Sequence, residues 1–133
     1  MRTITAPGAP RPAGHYAQAV EHDGIVYVSG QLPVLPDGTH QPALGFEDQA
    51  RQALGNLLAI IREAGAAPHT VLRITAYIVG VENWPLFNSI YAELLGDARP
   101  ARTVVPVPEL HYGYKIEVDA VALVEPQRDN ARK

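Results

Sequence analysis

The sequence predicts an α+β fold with two layers, in which two helices cover one face of a mixed sheet. Two segments carry an apolar stripe at helical spacing, and β-prone segments lie before, between and after them. The chain has 133 residues, a length that favours one domain. A 14.4 kDa chain buries roughly two-thirds of its unfolded surface, which is enough for a core. We therefore expect one domain over residues 1–133, ending in a loose polar tail at 125–133.

The first elements are a loop and a hairpin. Residues 6–14 contain three prolines and two glycines, a composition typical of loops. Residues 17–20 and 25–29 flank the turn dipeptide Asp-Gly at positions 23–24, so they are predicted to form the two arms of a hairpin. The segment 30–45 contains three further prolines and is interpreted as an ordered surface loop.

Two amphipathic segments predict helices. Residues 46–64 place apolar side chains on one side and mostly charged ones on the other, with two acids in the first turn. Gly65 follows at the position where helices often end. The second helix is predicted to begin after Asn83, as its N-cap, and to end at Gly96.

Three more strands complete the predicted order β-β-α-β-α-β-β. They are residues 70–79, 101–107 and 114–124. In the last strand, alternate side chains share a face. One face holds Ile116, Val118, Ala120 and Ala122, and the other holds Glu117, Asp119, Val121 and Leu123. Because both faces carry apolar residues, we expect helices to cover one face and a second subunit to cover the other.

Composition excludes several functions. The chain has no cysteine, which rules out disulfides, thiolate nucleophiles, Fe–S clusters and Cys-based zinc sites, and suits a cytoplasmic location. The five histidines are scattered, without metal-ligand spacing. A net charge of −3 gives no general attraction to nucleic acid. No apolar run is long enough to span a membrane, and the N-terminus lacks a signal-peptide pattern.

Three charged residues stand out in otherwise apolar strands. Glu117 and Asp119 point the same way, so they are either solvated or salt-bridged surface acids or a general acid/base group in a cleft. Arg102 is either a clamp for a substrate carboxylate or part of a structural ion pair with an acid such as Glu117. The residues alone leave both alternatives open.

Six segments of the chain resemble the RidA/YjgF family and occur in the family's order. They are residues 14–19, 28–33, 49–57, 88–93, 100–103 and 115–120. The resemblance extends from about residue 6 to 124 and implies a chorismate-mutase-like fold. It also implies a homotrimer with sites in the clefts between subunits, no cofactor, and hydrolysis of reactive 2-imino or enamine acids to 2-keto acids and ammonia.

The resemblance also implies roles for individual residues. Arg102 matches the arginine that binds the substrate carboxylate, and Glu117 matches the glutamate that positions or activates water. Four more residues match positions that line or shape the pocket in the family: Tyr16, Ser29, Gly30 and Asn88. Val104 stands where many members have a cysteine, and we expect its backbone to contribute to the site.

The chain departs from the family pattern around the expected pocket mouth. His15 replaces the usual proline before Tyr16, and residues 110–114 replace the usual turn before the last strand. We therefore expect His15, His111, Tyr112 and Tyr114 to reshape the mouth, with Tyr112 contacting the substrate. This difference bears directly on which imino acid fits.

The sequence and the family resemblance leave three candidate functions. The first is a hydrolytic imine/enamine deaminase that uses Arg102 and Glu117. The second is a non-catalytic trimer, metabolite-binding or chaperone-like, that holds a small carboxylate in the same cleft. The third, endoribonuclease activity, has been ascribed to family members, but the acidic balance and the lack of a basic patch disfavour it.

Overall fold

The computed structural model describes residues 1–126 and contains one mixed six-stranded sheet and two helices. The strands are β1 Arg2–Ile4, β2 Ala19–His22, β3 Ile25–Gln31, β4 Val71–Val79, β5 Ala101–Val107 and β6 Ile116–Leu123. The helices are α1 Phe46–Glu63 and α2 Trp84–Leu95. The strand order is β1-β2-β3-β6-β4-β5; β4 and β5 run parallel and the other neighbours run antiparallel. The predicted α+β class is confirmed.

The observed order has one strand more than predicted, because β1 precedes the hairpin. β1 pairs antiparallel with β2, and the side chain of Ile4 is buried in the core. Three residues are too few to show a strand period, so no sequence pattern indicated this strand. The predicted polar tail falls largely on residues 127–133, which lie outside the described residues.

The helices begin and end near the predicted residues, but the predicted cap at the start of α2 does not form. Gly65 has a φ of 88°, in the left-handed region. Its N–H donates to the carbonyl of Arg62, and the N–H of Ala66 donates to the carbonyl of Ile61. These are the two hydrogen bonds of a Schellman motif. Asn83 does precede α2, but its side chain makes no capping bond. Its amide donates instead to the carbonyl of Val79 at 3.0 Å, tying the helix start to the end of β4.

The two faces of the sheet differ as the alternation in β6 predicted. The face holding Ile116 and Val118 is buried in the core beneath α1, and α2 packs against α1. The opposite face carries Glu117 and Asp119 and is not covered by either helix. On this uncovered face Tyr27 is 49% exposed and Leu123 is 40% exposed in the single chain.

A β-bulge interrupts the pairing of β3 with β6. Val28 pairs with Ala120 and Gln31 pairs with Val118, so Ser29 and Gly30 together face a single residue of β6. The extra residue bends β3 and breaks the ladder locally. The bulge lies beside Glu117 and shapes the cavity described next.

Candidate functional site

A cavity of about 530 Å³ opens beside the bulge. Five of the residues expected at the site line it: Tyr16, Ser29, Gly30, Tyr112 and Glu117. The hairpin supplies Ser29 and Gly30, β6 supplies Glu117, and loops before β2 and β6 supply the two tyrosines. The Ser29 hydroxyl donates to the carbonyl of Ala17 at 2.7 Å, so it anchors the wall of the cavity.

Glu117 fits this cavity because residue 30 is glycine. A Cβ atom on Gly30 would lie 2.5 Å from Oε2 of Glu117 and 3.1 Å from its Cδ. Real Cβ atoms do not approach other atoms so closely, and glycine permits a close approach of backbone to side chain. The backbone at Gly30 therefore forms one wall against which the carboxylate lies.

The surroundings of Glu117 favour its neutral form. Burial raises the pKa of the Glu117 carboxyl, the negative charge of Asp119 raises it further, and His111 partly opposes this. Burial also raises the pKa of Asp119, and Arg73 opposes that effect. Both side chains are half-buried, which departs from solvated surface acids and agrees with an acid/base group in a cleft.

Arg102, Asn88 and Val104 form a second group at the edge of the sheet. Nη1 of Arg102 donates to Oδ1 of Asn88 at 2.9 Å. The guanidinium also lies over the ring of Tyr91, with Cζ 4.9 Å from its centroid. Val104, two residues along β5, is partly buried against the core.

In one chain the two groups lie on opposite faces of the sheet. Arg102 pairs with Ile74, whose side chain is in the core on the helix side, whereas Glu117 pairs with Tyr77, whose side chain points the other way. Within residues 1–126 of one chain, Arg102 therefore forms no ion pair with Glu117. A site that uses both side chains needs two copies of the chain.

Three buried side-chain amides hold the loops around the cavity. Gln18 binds the backbone of Ala6, Ala9 and Pro10. Gln49 donates to the carbonyls of Pro42 and Leu44 and accepts from Lys115, and Asn56 donates to those of Leu32 and Val34. Each amide satisfies backbone groups of an irregular segment that would otherwise be buried without partners.

The residues expected to reshape the mouth take different positions. His111 and Tyr112 line the cavity, and Tyr114 is buried beneath them. His15 lines a neighbouring open cavity of about 890 Å³ instead. The sequence reasoning missed Arg11 and His40, which also line the Glu117 cavity. Both lie in proline-rich loops, where no periodic pattern indicates which way a side chain points.

The described part of the chain shows neither a metal-binding group of side chains nor a membrane-spanning helix. Within residues 1–126, no three or more His, Asp or Glu side chains are grouped so that they could hold a metal ion. Neither helix in this range is long and apolar enough to cross a membrane.

A match to a family profile shows which class of proteins the chain belongs to. The profile of the family described as Endoribonuclease L-PSP matches residues 6–124. The chain therefore belongs to this family, which is the RidA/YjgF family that the six segments resemble.

Relatives and solved structures agree with this assignment. A RutC family protein of Aquifex aeolicus is 37% identical over 125 residues, covering 92% of this chain and 99% of that protein. A human protein named 2-iminobutanoate/2-iminopropanoate deaminase is 33% identical over 125 residues, covering 94% and 91%. The crystal structure of Escherichia coli TdcF with bound serine has a TM-score of 0.86 and 30% identity, covering 92% and 98%. The family thus includes imine deaminases and a member that holds a small amino acid.

Proposed function

We propose that this protein hydrolyses reactive 2-imino or enamine acids to 2-keto acids and ammonia. The observation that carries the proposal is the half-buried Glu117 carboxylate, held against the Gly30 backbone inside a cavity. A carboxyl whose pKa is raised by burial is suited to accept and return a proton during hydrolysis.

Arg102 is proposed to bind the substrate carboxylate. A guanidinium offers five N–H donors, and the hydrogen bond to the neutral amide of Asn88 uses one of them. Among residues 1–126 no carboxylate lies within salt-bridge distance of Arg102. The remaining donors and the positive charge are therefore free to hold a small organic anion bidentately.

The proposed assembly is a homotrimer whose sites form between subunits. Its support is the placement of Arg102 and Glu117 on opposite faces of one sheet, so that one copy supplies the clamp and another supplies the acid. The apolar side chains exposed on the uncovered sheet face, such as Tyr27 and Leu123, favour burial against another copy. The substrate would lie in the resulting cleft.

The proposed reaction follows from the charges of these groups. Arg102 fixes the carboxylate of the imino acid, which orients the neighbouring C=N bond toward the cavity. Water adds to the carbon of the protonated imine while Glu117 accepts a proton from that water, giving a carbinolamine. Glu117 then returns the proton to the nitrogen. The C–N bond then breaks and ammonia leaves, while the hydroxyl proton passes to Glu117 as the C=O bond forms. Transfer of this proton from Glu117 to ammonia gives the 2-keto acid and an ammonium ion and restores the carboxylate.

A second candidate is a trimer that binds small carboxylates without catalysis. It is supported by the TdcF structure, in which a relative holds serine. The two candidates share the same cleft and differ in whether bound imine turns over. Cleavage of RNA is not favoured, because the chain carries a net charge of −3.

The test couples an amino-acid oxidase to the purified protein and follows the decay of the imine. We expect faster decay with the wild-type chain and loss of that acceleration in Arg102→Ala and in Glu117→Gln. Arg62→Ala and Glu63→Gln, which alter exposed residues at the end of α1, serve as matched controls and should keep full activity. Unchanged decay with wild-type protein across several amino acids contradicts the proposal, and keto-acid binding without turnover would support the second candidate.

A further inference from the structure

A row of three aromatic rings borders the Glu117 cavity, and a fourth ring packs beside it. The ring of Tyr112 lies between those of His40 and His111, with centroids 4.3 Å and 3.7 Å apart. The ring of Tyr114 packs beside this row, with its centroid 5.9 Å from that of His40 and 6.3 Å from that of Tyr112. His40, His111 and Tyr112 all line the cavity, so one of its walls is largely aromatic.

The row is held in place from below. Tyr114 is buried, and its hydroxyl lies 3.0 Å from Nδ1 of His40 and accepts a hydrogen bond from the backbone of Gln41 at 3.0 Å. One ring nitrogen of His40 is therefore engaged, and this contact orients the ring. A preorganised wall loses little entropy when a ligand binds to it.

The backbone at Tyr112 is specialised to present its ring. Tyr112 has a φ of 62° and a ψ of 10°, in the left-handed region, and Gly113 follows with a φ of 78°. A bulky residue in this region is strained and persists where surrounding contacts hold it. The ring of Tyr112 stacks on that of His111 and packs at a tilt against that of His40, which supplies such contacts, and Tyr112 remains 44% exposed.

The remaining lining favours apolar rather than charged groups. Leu32 and Val34 line the same cavity, together with the prolines at positions 10 and 12. Arg11 is the one Arg or Lys among the described lining residues, and it is exposed. A planar apolar side chain would therefore contact aromatic and aliphatic atoms across the cavity.

We propose that the wall formed by His40, Tyr112 and His111 selects imino and keto acids with large planar side chains over those with a methyl group. This inference rests on the proposed function for the reaction, but the selection itself is a property of binding. With the carboxylate on Arg102 and the reacting carbon beside Glu117, the substrate side chain extends along the aromatic wall. Ring contacts and the burial of a phenyl group then add affinity that a methyl group cannot provide.

The experiment measures binding of 2-keto acids, the stable products, by titration calorimetry on the assembled protein. The probes are phenylpyruvate, pyruvate and 2-oxoglutarate. We expect phenylpyruvate to bind about 10-fold or more tightly than pyruvate. In His111→Ala this ratio should fall about 5-fold, whereas His22→Ala, at the exposed hairpin end, should keep the wild-type ratio.

A second variant keeps the test decisive if removal of His111 disturbs the loop. Tyr112→Asn deletes the ring and introduces asparagine, a residue that tolerates the left-handed region. Its ratio should also fall. Equal affinities of the wild-type chain for phenylpyruvate and pyruvate would overturn the inference, and so would tighter binding of 2-oxoglutarate, which would point to Arg11.

The same titrations separate this inference from the proposed function. Preferential binding of phenylpyruvate by a protein that hydrolyses no imine would support the selective wall and refute the deaminase. Hydrolysis of the alanine and phenylalanine imines with equal kcat/KM, together with equal keto-acid affinities, would support the deaminase and refute the selective wall.

Discussion

The backbone of Gly30 and the carboxylate of Glu117 lie so close that no side chain fits between them. A methyl group on Gly30 would lie 2.5 Å from Oε2 and 3.4 Å from Cγ of Glu117. The β-bulge at Ser29 and Gly30 creates this approach, because it lets two residues of β3 face one of β6. The position of the proposed catalytic carboxylate thus depends on a residue with no side chain of its own.

Gly30→Ala is expected to reduce deaminase activity by 10-fold or more. Gly30 does not have a positive φ, so alanine can adopt its backbone conformation, and the whole effect comes from displacing Glu117. Steady-state measurement of imine decay tests this, with circular dichroism to confirm that the fold is retained. Wild-type activity in Gly30→Ala would show that Glu117 need not occupy its observed position.

Gly55→Ala is the matched control, and it is expected to leave activity unchanged while raising stability. Gly55 is exposed within α1, and nothing lies within 4 Å of the place its Cβ would take. Alanine is about 1 kcal/mol more favourable than glycine inside a helix. We therefore expect a higher melting temperature with unchanged activity. Equal losses of activity in both glycine variants would mean that the effect at Gly30 is not specific to the site.

Strand alternation was enough to predict one half of the site. It placed Glu117 and Asp119 together on the face opposite Ile116, and the structure confirms this. It did not reveal that Arg102 lies on the other face, because that depends on how β5 pairs with β4. Register between strands distant in sequence is set by tertiary packing, which a single sequence does not display.

Asp119→Asn is expected to shift the acid limb of the pH–activity profile to lower pH. The negative charge of Asp119 raises the pKa of Glu117, so its removal lowers that pKa. If ionised Glu117 accepts the proton from water, activity then persists to lower pH than in the wild-type chain. The measurement is kcat/KM against pH. Asp97→Asn, in an exposed turn, should leave the profile in place, and an unshifted profile in Asp119→Asn would rule out this coupling.

The hydrophobic pattern of α1 did not predict which of its polar residues are buried. Gln49 and Asn56 are fully buried in α1, although their residue types are usually exposed. Their amides donate to loop carbonyls, those of Pro42 and Leu44 for Gln49 and those of Leu32 and Val34 for Asn56. Periodicity identifies which side of a helix is buried, but it does not show where loop carbonyls will need a donor.

Glu117→Gln is expected to stabilise the protein at neutral pH while removing its activity. Burial raises the folded-state pKa of Glu117 above its unfolded value, so the folded chain binds more protons between these two values. Wild-type stability therefore falls as pH rises from below the unfolded pKa through the folded pKa. Glutamine does not ionise, so the gain in melting temperature over wild type should be larger at pH 7 than at pH 4. A gain that does not grow with pH would show that the carboxylate is not destabilising.

Gln18→Leu is expected to lower stability and weaken ligand binding together. The Gln18 amide accepts from the N–H of Ala6 and donates to the carbonyls of Ala6, Ala9 and Pro10. Leucine of similar size fills the space but leaves these groups without partners, at a cost of about 1–3 kcal/mol. The loop they belong to walls the Glu117 cavity, so its release should also raise the Kd for keto acids. Gln52→Leu, which breaks one bond to Asn56, is the control, and urea unfolding at matched protein concentrations compares the two. An equal loss of stability in both variants would show that Gln18 does not hold this loop.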